Sequence, residues 1–301
     1  MTPEPSPATL EVLIPFWGDP GLLYATVESV RAQTDPDWVI TVVDDCYPDP
    51  TVAEHFDAEA DPRIHYLRNE ANLGITDNYQ RCRELATGEL MMFLGCDDLM
   101  HPGFVETVKA AHREFPGAAT IQVGVKVIDE HDAPIDPLTD KVKRAVRPRV
   151  QGRTELSGER LATSLLRGAW HYWPALVFRT EAVRRYPFRE GLPIIQDLAL
   201  LIDMTAAGET LVLDPTVCFS YRRHTQSASA TSLLHGNRFS DERRYYAAAA
   251  AQMSARGWTR AARTARGRWT SRLHAVTLLP TALRRRERTA VRSLLNHTLE
   301  H

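Results

Sequence analysis

The sequence predicts an α/β fold: a doubly wound, Rossmann-like layer on a mostly parallel sheet, followed by a C-terminal helical extension. Three observations predict it. Short apolar runs alternate with helical-period segments four times between Leu10 and Phe115, the pattern of strands joined by crossover helices. Several of those runs are apolar at consecutive positions, which a strand tolerates only when both of its faces are covered. Beyond residue 235 strand-like runs cease, and alanine and arginine recur at helical spacings.

Residues 10–15 form the first strand, stopped by Pro15, after which Leu23, Val27 and Val30 recur on one helical face. Residues 38–43 are a second continuous apolar run that ends in Asp44-Asp45. A third strand at residues 64–67 leads through Asn72 and Gly74 into a helix whose Ile75, Tyr79, Cys82 and Leu85 share a face. Residues 90–94 then precede a helix carrying Phe104, Val108, Ala111 and Phe115. In such a layer ligands bind outside the carboxyl ends of the strands. Pro15-Phe16-Trp17, Asp44-Asp45, the Asn72 loop and Asp97-Asp98 all fall there. Further on, residues 121–128 read as a strand, the segment up to Arg149 as a mobile polar loop, residues 156–166 as a helix, residues 174–178 as a strand, residues 197–207 as a helix and residues 210–213 as a strand.

The bulk numbers bound the function. A chain of 301 residues with 44% hydrophobic residues holds a sizeable core, and a net charge of -2 argues against a generic nucleic-acid binder. Cys46, Cys82, Cys96 and Cys218 show no CxxC or zinc-finger spacing, which suits reduced thiols in the cytoplasm. No stretch reaches the roughly 18 uninterrupted apolar residues of a spanning helix, and residues 1–9 lack the apolar segment of a signal peptide.

The run Phe93-Leu94-Gly95-Cys96-Asp97-Asp98-Leu99-Met100-His101-Pro102 ends a strand in two adjacent carboxylates and then opens a helix. Two readings follow from those residues alone. Carboxylates at the mouth of a parallel sheet hold a hard cation that neutralises a diphosphate, since Mg²⁺ binds through one or two carboxylates plus phosphate oxygens. Alternatively the pair caps the helix near Pro102.

Six segments in order decide between them: Val12-Leu13-Ile14-Pro15, Ser29-Val30-Arg31-Ala32-Gln33-Thr34, Val42-Val43-Asp44-Asp45, Asn72-Leu73-Gly74, Ala86-Thr87-Gly88-Glu89 and the run from Phe93 to Asp98. With them the chain resembles the family 2 glycosyltransferases, which have the GT-A fold, over about residues 10–229. The resemblance implies an inverting, metal-dependent enzyme that moves a sugar from a nucleoside diphosphate sugar, UDP first among them, to an acceptor hydroxyl. The acceptor would be a saccharide, a lipid-linked sugar or a small molecule, in the synthesis of a cell-surface polysaccharide, a glycolipid or a glycosylated natural product.

The resemblance also assigns residues. Asp98 would bind Mg²⁺ or Mn²⁺, and Asp97 would share the metal or face the donor ribose; Gly95 stands where the family often has an earlier Asp. Pro15, Trp17 and Asp45 match positions that cradle base and ribose, with Phe16-Trp17 in place of a more usual Thr-Tyr pair and open to a plain core reading. Asn78 and Arg81 are expected to project away from the apolar face of their helix, Arg81 toward phosphate or solvent. The general base lies in the family in a short acidic motif at a helix start, here Ile195-Gln196-Asp197-Leu198, which assigns it to Asp197; the structural alternative is an N-cap. Tyr221-Arg222-Arg223-His224, followed by Ser227 and Ser229, is similar to the tail motif in which His224 completes the cation's ligands and Arg222 and Arg223 approach the diphosphate. Trp170 and Trp173, in Trp170-His171-Tyr172-Trp173, are candidate acceptor contacts or core.

The domain organisation then reads as a disordered lead-in at residues 1–9, a catalytic domain at 10–235, a basic amphipathic helical extension at 236–298 and a tag remnant at 299–301. Between Arg256 and Arg292 stand eleven arginines, no lysine and one acid, Glu287. Trp258, Ala262, Ala265, Trp269 and Val276 share helical spacings, a pattern that suits either peripheral attachment to an anionic membrane on the inner face of the plasma membrane or packing on the catalytic domain or on a second copy in a homodimer. No nucleic-acid reader motif accompanies the charge. Two other functions are weighed. A sugar nucleotidyltransferase needs a Gly-rich, Arg-containing loop after the first strand, and Pro15-Phe16-Trp17-Gly18-Asp19-Pro20 has no basic residue. An inactive carbohydrate-binding scaffold would account for Gly95 and Gln196.

Overall fold

Leu10–Phe16 (β1) is buried on both faces, so it must have hydrogen-bonded neighbours on either side and helices above and below. The computed structural model, which describes residues 9–192, 195–223, 237–284 and 288–299, supplies them. The order is β1, α1 (Pro20–Arg31), β2 (Trp38–Asp44), α2 (Thr51–Asp57), β3 (Ile64–Arg68), α3 (Ile75–Leu85), β4 (Leu90–Phe93), β5 (Leu99–Met100) and α4 (Phe104–Glu114). It continues with β6 (Thr120–Ile128), α5 (Leu138–Val146), β7 (Thr154–Leu156), α6 (Gly158–Gly168), a 3₁₀ turn at Trp173–Ala175, β8 (Leu176–Arg179), α7 (Thr180–Arg184), α8 (Gln196–Ala206) and β9 (Leu211–Arg222). Among the described residues four helices follow: α9 (Asn237–Ala255), α10 (Thr259–Gly267), α11 (Trp269–Arg284) and α12 (Arg288–Leu299).

The sheet runs β3-β2-β1-β4-β8-β6-β9-β5, with β7 paired to β9. Its first four strands are parallel, β8 runs against both β4 and β6, and β6 and β9 are again parallel. One core layer lies under α1 and α4; the other is roofed by α6, α8, α9 and α10. Among the described residues no helix is long and apolar enough to cross a membrane.

Two of the recurring segments have a mechanical explanation. Ser29, Gln33 and Thr34 bind the chain that follows Asp98: Ser29 Oγ accepts from Met100 N at 3.1 Å, Gln33 Nε2 donates to His101 O at 2.8 Å, Gln33 Oε1 accepts from Val105 N at 3.1 Å and Thr34 N donates to Pro102 O at 2.8 Å. Thr87 closes the start of β1 by donating its N–H and hydroxyl to the Glu11 carboxylate at 2.7 and 2.9 Å.

The structure corrects three expectations. The segment after β6 is not a mobile loop throughout: it contains α5, whose Asp140 is fully buried. β9 runs on to Arg222 rather than stopping at Leu213, because a bulge at Gly124 accommodates Pro215; a Cβ at Gly124 would lie 2.7 Å from Pro215 O. Trp258, Ala262, Ala265, Trp269 and Val276 do not share one helical face. Arg268 takes a left-handed conformation between α10 and α11, so Ala262 and Ala265 are buried while Trp269 and Val276 are exposed. Residues 1–8, 300 and 301 lie outside the described residues.

Candidate active site

Asp97 and Asp98 follow β4 at the carboxyl rim of the sheet, where they are anchored from α1 and from β9. Thr26 Oγ1 of α1 donates to Asp98 O at 2.9 Å. Arg222, at the end of β9, gives its backbone N–H to Asp98 Oδ1 at 2.7 Å and its Nε to Asp97 O at 2.7 Å. The guanidinium continues to Asp129 O at 3.1 Å and to the Asp132 carboxylate at 2.6 Å.

Asp98 is 1% exposed, yet its Oδ2 has no hydrogen-bond partner. Burial, and next the neighbouring Asp97 charge, push its carboxyl well above the usual range. A buried carboxylate oxygen without a donor is a place for a cation. Gly95 keeps the space before it open: a Cβ there would lie 2.5 Å from Asp98 Oδ2 and 3.0 Å from Asp97 Oδ1. Mg²⁺ or Mn²⁺ fits this donor set as a site of two carboxylates completed by phosphate oxygens. No group of three His, Cys, Asp or Glu gathers among the described residues. His224 lies outside them, as do Ser227 and Ser229.

The other candidate donor residues divide. Trp17 stands half-exposed past β1, edge-on to Tyr47 at 5.6 Å, whereas Phe16 is core; Pro15 is partly buried beside them. Asp45 is buried and orders the Asn72 loop, accepting from Asn69 Nδ2 and Leu73 N at 2.8 Å and from Gly74 N at 2.9 Å. Asp44 is likewise engaged, with Tyr47 N, Tyr66 and Arg68. Asn78 does not project from α3 toward solvent. It is buried, with its amide donating to Val43 O and accepting from Asn69 at 3.0 Å, because the end of β2 needs a partner there. Arg81 is exposed.

Arg223 is held at a second acid. Its Nε and Nη2 donate to the two oxygens of Asp140 at 2.6 and 2.9 Å, and Asp140 also accepts from Tyr172 Oη at 2.8 Å. In this state neither Arg222 nor Arg223 has its guanidinium free of carboxylates. Burial opposes ionisation of Asp140, but the Arg223 partnership outweighs it and holds the carboxyl below its ordinary value.

Asp197 sits in the first turn of α8; the N-cap is Ile195, so capping is not its part. Its Oδ1 accepts from Leu198 N at 2.7 Å and its Oδ2 meets His171 Nε2 at 3.0 Å. Burial raises its carboxyl, and His171, the Leu198 N–H and Lys143 together outweigh that and hold it low. His171 is 1% exposed, while Asp197 keeps 29% of its side chain accessible, so the carboxylate is the member of the pair a substrate reaches. Lys143 Nζ donates to His171 O at 2.9 Å; burial, and then Arg223, bring its pKa down to about 8.

Joined by the adjacent pairs Arg222-Arg223 and His171-Tyr172, these contacts form one series: Asp98 to Arg222, Arg223 to Asp140, Asp140 to Tyr172, and His171 to Asp197. His171, Tyr172 and Asp140, with Lys143 beside them, are not singled out by the sequence. His171 and Tyr172 read there as part of an aromatic cluster, and Asp140 and Lys143 are signalled only by the four-and-three spacing of Leu138, Val142 and Ala145. Trp170 is core, 1% exposed, with Nε1 donating to Ser164 Oγ at 3.3 Å, and so is corrected as an acceptor contact. Trp173 stacks on Phe93 at 5.2 Å among Tyr79, Phe178 and Phe188, which gives it the packing role instead.

Residues 11–157 match the family model described as Glycosyl transferase family 2. The chain is 30% identical over 232 residues to protein y4gI of Sinorhizobium fredii, spanning 74% of this chain and 23% of that one. It is 27% identical over 248 residues to protein MT1568 of Mycobacterium tuberculosis, spanning 77% and 72%. The structure is similar to that of S. aureus TarS in complex with UDP-GlcNAc, with a TM-score of 0.62 at 14% identity over 81% of this chain and 66% of that one. With the family match seated on the strands and the acidic pair described above, residues 11–157 are similar to glycosyltransferase family 2 and the fold is GT-A, while the chain spans about a quarter of the length of protein y4gI.

Proposed function

We infer that the enzyme transfers a sugar from a nucleoside diphosphate sugar, with UDP as the nucleotide, to an acceptor hydroxyl with inversion at the anomeric carbon. The observation that carries the reading is the series of contacts, joined by the adjacent pairs Arg222-Arg223 and His171-Tyr172, that runs from Asp98 to Asp197. Asp97 and Asp98 would hold Mg²⁺ or Mn²⁺, which when bound stabilises charge on the departing diphosphate. Trp17 and Tyr47 offer aromatic surface to the base. Support for UDP is that TarS, a fold neighbour, is seen with UDP-GlcNAc.

Asp197 accepts the acceptor's proton as that oxygen bonds to the anomeric carbon and the bond from carbon to diphosphate breaks. His171 Nε2 and Leu198 N orient the carboxylate and keep it ionised before the step. Attack from the face opposite the leaving group inverts the centre. The acceptor is a saccharide, a lipid-linked sugar or a small molecule, and the arginine-rich C-terminal helices attach the enzyme peripherally to the anionic inner leaflet.

The test is hydrolysis and transfer across a panel of UDP-, GDP-, dTDP- and CMP-sugars, with Mn²⁺, with Mg²⁺ and with EDTA. Turnover of a UDP-sugar that EDTA abolishes is expected. Turnover that EDTA leaves intact overturns the metal assignment, and turnover confined to another base overturns the donor.

A further inference from the structure

α11 packs by one face only. Ala275, Leu278 and Leu279 lie with Val291 and Leu294 of α12. On its other side Trp269, Leu273, Val276, Pro280 and Leu283 recur four, three, four and three residues apart and are exposed, Trp269 by 71% and Leu273 by 62%. α5 repeats the arrangement. Leu138, Val142 and Ala145 are exposed along one stripe, Leu138 by 61%, while Asp140 and Lys143 on the opposite side hold Arg223, Tyr172 and His171.

The two helices meet at the end of α6. A Cβ at Gly168 would lie 2.8 Å from Val146 Cγ2 of α5 and 3.5 Å from Thr270 Cγ2 of α11, and Thr270 Oγ1 donates to Arg167 O at 2.6 Å. Large exposed apolar stripes on a folded chain mark a surface that something covers.

Charge identifies the occupant. Between Arg256 and Leu299 the described residues include nine arginines and no carboxylate. Arg260, Arg263, Arg266, Arg284 and Arg292 are exposed. Two copies of a surface this rich in arginine repel each other. An apolar helix stripe with a tryptophan, in a segment that carries exposed arginines, instead matches the boundary between acyl chains and anionic headgroups.

We propose that the outer faces of α5 and α11 form one docking face for an anionic phospholipid bilayer, an inference that rests on the peripheral attachment given above and extends it to a helix of the catalytic domain. Because the inner side of α5 holds the residues around His171, the docked bilayer lies beside the Asp197 end of the site.

The test is flotation of the full chain with vesicles of phosphatidylcholine alone and with vesicles that also contain phosphatidylglycerol, alongside sugar-nucleotide hydrolysis in vesicle-free solution. Flotation with the anionic vesicles only, reduced by salt, is expected. Leu273→Glu with Val276→Glu, and separately Leu138→Glu with Val142→Glu, should each weaken partitioning about tenfold or more with hydrolysis in solution unchanged. Arg263→Ser with Arg266→Ser, which leaves both stripes intact, should weaken binding to the anionic vesicles and serves if a glutamate variant fails to fold.

Several results overturn the proposal: no flotation with either vesicle, equal flotation with neutral vesicles, or an α11 variant that floats like the parent. An α5 variant that floats like the parent overturns the two-helix face. A dimer in light scattering that the α11 glutamates dissociate, without flotation, assigns the stripe to a second copy. Flotation of a parent chain that hydrolyses no nucleotide sugar counts against the proposed reaction and leaves the docking face standing.

Discussion

Single substitutions at Asp98, Gly95, Asp197 and His171 test the proposed chemistry, and each is expected to fail in its own way. Asp98→Asn removes the charge facing the unpartnered oxygen position, so Mn²⁺-dependent UDP binding should be lost by calorimetry while the fold survives; undiminished binding contradicts the metal site. Gly95→Ala should push a methyl into the same cradle, costing about 1–3 kcal/mol of stability and weakening Mn²⁺-dependent UDP binding about tenfold. At the other end, Asp197→Asn should retain UDP binding and lower transfer by roughly 10²–10⁴-fold. Transfer at the parent rate would remove Asp197 from the base role. His171→Phe removes the strongest influence holding that carboxyl low, so the acid limb of kcat/KM should move to higher pH, and a limb that stays in place contradicts the pairing. The sign for stability follows. Asp197's folded value lies below the unfolded one of about 3.9, so its contribution is present above that pH and lost as pH falls through the folded value. His171 is illegible in sequence because a histidine between aromatics reads as core, and only the fold brings α8 against it.

At the scale of elements, α5 is the unexpected part. Its sequence is rich in charge with one buried acid, and a polar segment after a strand reads as loop until the partner of that acid is known. The partner, Arg223, arrives from 83 positions away on the extension of β9, which the Asp214-Pro215-Thr216 interruption hides. Asp140→Ala should therefore do more than loosen a surface helix. It leaves a largely enclosed guanidinium unpaired and should cost about 2–4 kcal/mol by chemical denaturation, below the full buried-pair value because Arg223 keeps 28% of its side chain exposed. A cost within about 0.5 kcal/mol of zero would show that α5 is not held by this pair. By contrast β1, β2 and β4 are legible residue by residue, because a strand covered on both faces can only be an apolar run.

Over the whole molecule, the order of strands and the gathering of polar strand ends at one rim are legible from the first 115 residues, and so is the acidic pair. The connection between that pair and Asp197 is not. It passes through β9, α5, α8 and the loops after β4 and α6, and depends on hydrogen bonds between residues up to 125 positions apart, which no local pattern encodes. The same holds for the C-terminal helices: arginine content announces a basic surface, but the left-handed turn at Arg268 decides that Ala262 faces the core and Trp269 faces outward. If the acidic pair and Asp197 serve one bound donor, a crystal of Asp197→Asn holding Mn²⁺ and an intact UDP-sugar should show it by anomalous diffraction. One manganese peak is expected at the Asp97-Asp98 carboxylates beside the diphosphate, with the anomeric carbon between that peak and residue 197. A manganese ion elsewhere, or a sugar directed away from residue 197, would contradict it.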